Sequence, residues 1–226
     1  MKILAIDTAT EACSVALLDQ DNCHEIFEII PRQHTERVLP MVDELLEQTG
    51  ISLSQVDALA FNCGPGSFTG VRVATSIVQG LAFSCDLPVI PVSSLAALAQ
   101  LAFREEKKER VFSAIDARMN EIYWGCYQLE SGLMKSVTEE KVSPVKKIAI
   151  EGEWHCQGSG WDSFQTELNQ STSVNITSFT AQCFPHAQDV AVLAADLYIQ
   201  EKVVRAEDAV PSYIRNEVTW KKLKDQ

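Results

Sequence analysis

The sequence is poor in basic residues and has no closely spaced cysteines or histidines. It contains 19 lysines and arginines against 31 aspartates and glutamates, which gives a formal charge of -12. Surfaces that grip nucleic acids depend on clustered lysine and arginine, so this balance argues against tight, unaided binding to a phosphate backbone. We therefore expect any contact with RNA to depend on a partner that supplies the positive charge.

Cysteine and histidine are both scattered singly along the chain. The seven cysteines form no CxxC pair and their total is odd, which is typical of reduced, mostly buried thiols rather than a disulfide framework or a zinc site. The four histidines also lack the spacing of metal ligands. The cysteines are at positions 13, 23, 63, 85, 126, 156 and 183, and the histidines at 24, 34, 155 and 186.

Long apolar runs are absent as well. No stretch reaches the roughly 18–20 residues that cross a bilayer, and the N-terminal MKILAIDTAT has too short an apolar run for a signal peptide. We expect a soluble, cytoplasmic protein without membrane contact. Its 226 residues, 46% of them hydrophobic, are enough to bury a large core in one domain or two compact lobes.

The first hundred residues predict strands followed by alternating helices and strands. Three short apolar or alternating runs at the start predict an antiparallel meander. Helical periodicity after Thr35 ends at Gly50, although Pro40 must mark the first turns of that helix or bend it. The predicted strands are 2–7, 13–19, 24–30, 57–63 and 87–92, and the predicted helices are 35–48, 70–85 and one from Ser93 or Ser94 to about Phe103.

A second lobe is predicted after the charged segment REEKKER, 104–110. This boundary gives an N-terminal lobe over 1–103 and a smaller C-terminal lobe over 104–226, and leaves open that the last segment packs back on the first lobe. Both lobes open on a strand that ends in Ile-Asp, at Asp7 and Asp116, so facing lobes would bring both carboxylates into one cleft. The strands predicted in the second lobe are VFSAIDAR, EIYWGCYQL and WHCQGSG, and the helix is 186–200.

The segment GPGSFTG, 64–70, has the composition of a phosphate-binding loop. Its small residues let backbone N–H groups approach an anion, and the helix that follows favours negative charge at its N-terminus. Ser67 and Thr69 are not set in a GxSxG elbow, so we interpret them as turn and cap residues rather than nucleophiles.

Seven segments together resemble a known family in their order and spacing. They are ILAIDTAT, RQHTERVLPMVDELL, GPGSFTGVRVA, GLA, PVSSLAALA, IDARMNEIYW and VPSYIRNEV. The chain resembles the TsaB (YeaZ) family within the superfamily of actin, Hsp70 and sugar kinases. This resemblance implies an α/β fold of two actin-like, ribonuclease-H-like lobes, each a mixed sheet flanked by helices.

The resemblance also implies a function. Members act as a noncatalytic scaffold and activator of TsaD, which transfers a threonylcarbamoyl group to N6 of adenosine 37 in tRNAs that read ANN codons. The N-terminal lobe forms a homodimer and pairs with TsaD through much the same face. The ATPase TsaE joins near that junction, TsaC supplies the adenylate, and tRNA is reached only through the complex. No cofactor is implied for the chain alone, and ATP or ADP in the complex with TsaD and TsaE is left open.

The sequence departs from nucleotide-binding and catalytic members of the superfamily at several places. Ala9 stands where the first phosphate turn carries glycine, and Arg118 stands in the second turn. Ser94 and Leu98 fall where the resemblance to TsaD places two metal-binding histidines. We therefore predict a degenerate cleft with no catalytic residue and no metal, in which Asp7 and Thr8 bond turn amides and the glycine loop mainly fixes the next helix. The residues of this cleft are Asp7, Thr8, Gly64, Gly66, Ser67, Thr69, Gly70 and Asp116.

Two helices of the first lobe are predicted to carry the interface. Small residues in the second of them permit close helix approach. His34 has two interpretations, because it either fixes the strand-to-helix turn with Arg32 and Glu36 or belongs to the contact surface. The predicted interface residues are His34, Glu36, Arg37, Met41, Leu45, Arg72, Ala74, Ile77 and Gly80.

An independent enzyme remains the alternative function. It would be a small ATP-dependent phosphotransferase of the same fold or a peptidase, although the sequence shows neither a metal-binding pair nor a triad pattern. The basic segment TWKKLK, 219–224, is either a frayed terminus or an auxiliary contact to RNA or a partner.

Overall fold

The computed structural model describes residues 1–162, 164 and 175–215, so the basic segment 219–224 lies outside the described residues. Within them, two mixed sheets form the framework of the molecule. The first sheet consists of β1 (Lys2–Asp7), β2 (Ala12–Asp19), β3 (Asn22–Ile29), β4 (Ala58–Gly64) and β5 (Val89–Ser93). The antiparallel meander predicted for β1 to β3 is confirmed, whereas β4 and β5 continue the sheet in parallel with β1. The order β3-β2-β1-β4-β5 sets the carboxyl ends of β1 and β4 side by side.

Helices cover both faces of this sheet. They are α1 (His34–Thr49), α2 (Phe68–Cys85), α3 (Ser94–Glu106) and α4 (Ala187–Ile199). Alternation along β1 directs Leu4 and Ile6 towards α1 and α2, and Ile3 and Ala5 towards α4. Helix α4 was predicted within the C-terminal range, but its apolar side packs on the first sheet, whose second face it covers.

Helix α1 has the predicted bounds to within a residue at each end. Pro40 lies in its second turn, where it leaves one i to i−4 hydrogen bond unmade without ending the helix. The helix stops at Gly50, which adopts a left-handed φ of 67° and donates its N–H to the carbonyl groups of Leu46 and Glu47.

The second sheet follows α3. Its strands are β6 (Arg110–Asp116), β7 (Ile122–Glu130), β8 (Leu133–Ser136), β9 (Lys141–Ser143), β10 (Glu153–Gln157) and β11 (Asn175–Thr180). The strands predicted at β6, β7 and β10 are confirmed, whereas β8, β9 and β11 were not predicted. The order is β11-β10-β6-β7-β8, and β9 pairs with β7. Phe112 is packed edge-on between Trp124 and Trp161 on one face.

Helix α3 is shared by the two lobes. Leu95, Leu98 and Leu101 pack on the second sheet, while Ala97 packs with α4. The helix continues to Glu106, into the segment predicted as a charged link, and Arg104 there makes two 3.0 Å hydrogen bonds to the buried carboxylate of Asp189 on α4.

Residues 203–215, which we name the C-terminal strap, return along the first lobe. Val204 forms a β-bridge with Val89, and a one-turn 3₁₀ helix, Ala206–Asp208, packs on α2. Two further one-turn 3₁₀ helices are Leu53–Gln55 and Val145–Lys147. Among the described residues, no helix is both long and apolar enough to cross a membrane.

Candidate functional site

Asp7 is the centre of a buried polar network between neighbouring strands. It ends β1, and its Oδ1 accepts a 2.8 Å hydrogen bond from the amide of Ala9, which confirms the predicted bond to the turn. Its Oδ2 accepts a 2.6 Å bond from Nδ2 of Asn62 at the end of β4. Asn62 Oδ1 accepts in turn from the amide of Gly64 and the hydroxyl of Ser94. The network joins β1, β4 and the start of α3.

Burial disfavours the ionised form of Asp7. Burial raises the pKa of this carboxyl to about 7, against the lowering effects of the Ala9 amide and the Asn62 side chain. Sequence reasoning found Asp7 but missed Asn62, because the two residues are 55 positions apart and meet only through strand pairing. Both oxygens of Asp7 are occupied by groups of the chain itself.

Thr8 does not bond a turn amide, so that part of the prediction is wrong. Its hydroxyl donates a 2.7 Å hydrogen bond to the carbonyl of Gly70 in the first turn of α2. The amide of Ser67 donates a 2.7 Å bond to the carbonyl of Ala9. These two bonds hold the glycine loop directly against the turn that follows β1. The loop, and not a turn amide, is therefore the partner of Thr8.

The glycines of the loop are required by this close approach. A Cβ on Gly66 would overlap the carbonyl oxygen of Ala9, and one on Gly70 would overlap that of Thr8. Gly64 has a φ of 108°, and a Cβ there would lie 3.2 Å from the carbonyl oxygen of Ser212. The glycines therefore let the loop pack against the chain's own backbone.

The start of α2 is fixed from within the loop. Ser67 caps the helix, since its hydroxyl accepts a 3.0 Å hydrogen bond from the amide of Gly70 and its carbonyl accepts from Val71. This confirms the interpretation of Ser67 as a cap residue. Thr69 is exposed on the first turn. The amides of Gly64, Ser67, Gly70 and Val71 are thus bonded within the chain.

Removing the cap tests this account of the loop. Ser67→Ala leaves the amide of Gly70 without its side-chain partner, so we expect the free energy of unfolding to fall by about 1 kcal/mol. Urea unfolding of the purified chain measures the change. Thr69→Ala is the matched control, because Thr69 is exposed and lies two residues after Ser67. Equal losses of stability in both variants would contradict the capping role.

The two positions aligned with metal ligands are built into the core. Ser94 is fully buried and donates to Asn62, and Leu98 is fully buried against the second lobe. Within the described part of the chain, no three His, Cys, Asp or Glu side chains are grouped so that they could hold a metal ion.

The second Ile-Asp turn repeats the geometry of the first. Asp116 ends β6, and its Oδ1 accepts a 2.7 Å hydrogen bond from the amide of Arg118, as Asp7 does from Ala9. Arg118, Met119 and Asn120 follow with left-handed φ values of 60°, 56° and 60°. Three consecutive non-glycine residues in this region are uncommon. In the described residues Asp116 shares no hydrogen-bond partner with Asp7.

Four residues of the predicted interface are not at the surface. Met41, Leu45 and Ala74 are fully buried in the core of the first lobe, because they lie on the inward faces of α1 and α2. His34 is also buried, and its Nε2 bonds the carbonyl of Ala12 at 3.1 Å, which ties the start of α1 to β2. The interface prediction is corrected for these four residues.

The other predicted interface residues lie at least partly at the surface. Arg37 bonds Glu28 on β3 and Glu44 on α1, and the Arg72 guanidinium lies 3.3 Å from the centre of the Phe68 ring. Glu36, Ile77 and Gly80 complete the set. Sequence reasoning missed three exposed apolar side chains on the same two helices, Leu39, Phe68 and Phe83. The sequence could have indicated Phe83, because this residue lies off the apolar stripe of α2 and is therefore expected to be exposed.

Comparisons with known proteins place the chain in a family. A family model described as "TsaD: tRNA N6-adenosine threonylcarbamoyltransferase" matches residues 20–223. The "tRNA threonylcarbamoyladenosine biosynthesis protein TsaB" of Escherichia coli (strain K12) is 43% identical over 99% of this chain and 98% of that protein. The chain belongs to the TsaB (YeaZ) family. The protein of the same name from Haemophilus influenzae is 44% identical over 99% of this chain and 97% of its own length.

A solved TsaB-family structure confirms the fold. The structure described as "YeaZ from Pseudomonas aeruginosa" superimposes with a TM-score of 0.89 at 47% identity, covering 94% of this chain and 99% of that one. The two mixed sheets flanked by helices are therefore those of the TsaB family, as the sequence predicted.

Proposed function

We propose that this chain is a noncatalytic scaffold that activates TsaD during threonylcarbamoyl transfer to N6 of adenosine 37 in ANN-decoding tRNAs. The observation that carries the proposal is that the residues of the predicted cleft form their hydrogen bonds and close contacts with other parts of the same chain. Asp7 bonds Ala9 and Asn62, and the glycine loop packs on Thr8 and Ala9. Groups that would bind phosphate or metal in an enzyme of this fold instead stabilise the first lobe.

The exposed side of α2 supplies the surface that a scaffold needs. Phe68 and Phe83 leave 65% and 83% of their surfaces exposed, and Arg72 stacks on Phe68. Aromatic and arginine side chains are enriched among the residues that dominate binding energy. Gly80 has open space where a Cβ would lie, so a partner helix can approach α2 closely.

The proposed assembly follows from one shared face. The isolated chain forms a homodimer through α1 and α2, and TsaD displaces one copy to form a heterodimer. TsaE joins at that junction as the ATPase, and TsaC supplies the adenylate. ATP or ADP binds only in the complex, and the chain reaches tRNA only through it, consistent with its charge of -12. All of this takes place in the cytoplasm.

Reconstitution tests the scaffold. The chain alone should show no transfer of threonylcarbamoyl to tRNA, and mixing with TsaD, TsaE and TsaC should produce it. Equal modification without the chain would refute the proposal. Calorimetry with Mg·ATP separates the enzymatic alternative, because tight binding to the isolated chain would favour a phosphotransferase.

A charge placed on the exposed side of α2 should weaken the assembly. We expect Phe83→Asp to reduce affinity for TsaD at least about tenfold, since it removes a large aromatic contact and buries a carboxylate in the interface. Size-exclusion chromatography and calorimetry measure the loss. Ile199→Asp is the matched control, because Ile199 is similarly exposed at the end of α4. Unchanged affinity of Phe83→Asp would remove this side of α2 from the interface.

A further inference from the structure

The C-terminal strap is anchored to the first lobe at three points. Val89 and Val204 exchange both backbone hydrogen bonds, at 2.9 and 2.8 Å. The side-chain amide of Gln79 on α2 donates to the carbonyl of Ala209 at 2.8 Å. The amide of Ser212 then donates a 2.8 Å bond to the carbonyl of Cys63, next to the glycine loop. The strap therefore reaches the carboxyl end of β4.

The far end of the strap contacts the second lobe. Arg215 donates a 2.5 Å hydrogen bond to Glu121, and its guanidinium lies over the Tyr123 ring at 5.9 Å. Arg215 also approaches the sulfur of Met119 at 3.8 Å. Both members of the ion pair are partly buried, with 20% and 30% of their side chains exposed. Salt therefore screens this pair less than it screens the other, more exposed pairs of the strap.

No direct hydrogen bond joins the glycine loop, 64–70, to residues 110–162 or 175–180 of the second lobe within the described part of the chain. The strap supplies an indirect connection, from Cys63 through Ser212 to Arg215 and Glu121. Glu121 itself donates its amide to the carbonyl of Arg118, so the connection ends on the left-handed turn after β6. The strap thus links the turn after β6 to the end of β4 beside the glycine loop, and the glycine loop in turn bonds Ala9 of the first Ile-Asp turn.

We propose that the strap is an interlobe clasp that ties the turn after β6 to the end of β4 beside the glycine loop. Here the ion pair of Arg215 with Glu121 fixes the second turn relative to the glycine loop. Tyr213 lies 5.5 Å from the guanidinium of Arg72, so the clasp also touches the exposed side of α2. The clasp stands whether or not TsaD is the partner.

Reversing the charge of either member of the ion pair tests the clasp on the full-length chain. Hydrogen exchange measured by mass spectrometry should rise about tenfold at residues 117–124 in Arg215→Glu and in Glu121→Arg, because each variant opposes two like charges. A smaller rise should follow at residues 62–70. The double variant restores the pair in reverse, and its exchange should return to within about threefold of the original protein.

Arg205→Glu is the matched control. Arg205 lies on the same strap, is 74% exposed and pairs only with Glu207 and Asp208 among the described residues. In this variant, hydrogen exchange at residues 117–124 should stay as in the original protein. Three results would overturn the clasp: unaltered exchange at 117–124 in Arg215→Glu, an increase confined to the strap itself, or a double variant that is no better protected than the single ones. Circular dichroism confirms that each variant is folded before exchange is compared.

Discussion

Replacing Gly70 by alanine is expected to lower the free energy of unfolding by about 3 kcal/mol. The added Cβ would overlap the carbonyl oxygen of Thr8 and approach Ser67 Oγ, the cap of α2. Relief requires the glycine loop to move away from the turn after β1, which breaks the hydrogen bond from Thr8 to Gly70. Urea unfolding at constant pH measures the loss.

Gly80 provides the control on the same helix. Within the single chain a Cβ at Gly80 meets nothing within 4 Å, so at protein concentrations that keep the chain monomeric Gly80→Ala should raise the free energy of unfolding by about 0.5–1 kcal/mol through the lower backbone entropy of alanine in the unfolded chain. Opposite signs at Gly70 and Gly80 are the expected result. A loss below about 1 kcal/mol at Gly70 would mean that the loop is not locked on the turn.

The local structure of the first lobe was largely predictable from the sequence. Strand β1 and helices α1 and α2 have clear periodicity, and Gly50 marks a stop that needs a left-handed residue. Strands such as β9, Lys141–Ser143, could not be predicted in this way. Three residues carry no periodicity, and β9 exists because β7 offers it an edge.

The candidate site was predictable only where its contacts are local. The bond between Asp7 and Ala9 spans two positions and follows from the turn, whereas Asn62 joins Asp7 through the pairing of β1 with β4. The interface prediction shows the opposite difficulty. Met41 and Leu45 were predicted at the interface, but they lie on the apolar stripe that packs inside, whereas exposed side chains such as Phe83 lie off that stripe.

One arrangement accounts for both the cleft and the proposed surface. Because the glycine loop is locked on the turn after β1, the first turn of α2 has a fixed position on the sheet. That position sets where Phe68 and Arg72 stand at the surface. Residues with the composition of a phosphate loop therefore fix the start of a helix.

The pH dependence of stability should change when Asp7 is replaced by asparagine. Burial raises the pKa of Asp7 to about 7, so between about pH 4 and pH 7 the native state keeps a proton that the unfolded chain has released. The contribution of the protonated Asp7 carboxyl to the free energy of unfolding is complete below about pH 4 and is lost as the pH rises to about 7. The three-unit difference corresponds to about 4 kcal/mol. Asp7→Asn removes this decline.

Urea unfolding from pH 4 to pH 8 measures the effect as the difference between the original protein and Asp7→Asn. Asp189, whose pKa burial raises to about 6, contributes a decline of the same sign that remains in the variant. Glu36→Gln, an exposed change on α1, controls for the loss of one negative charge. The asparagine amide meets the Asn62 amide donor, so the variant should be the less stable protein at pH 4, and the gap should narrow by about 4 kcal/mol towards pH 8. A constant gap across this range would mean that Asp7 releases its proton as readily in the fold as in the unfolded chain, and the Asp7 network would then be that of an ordinary ionised carboxylate.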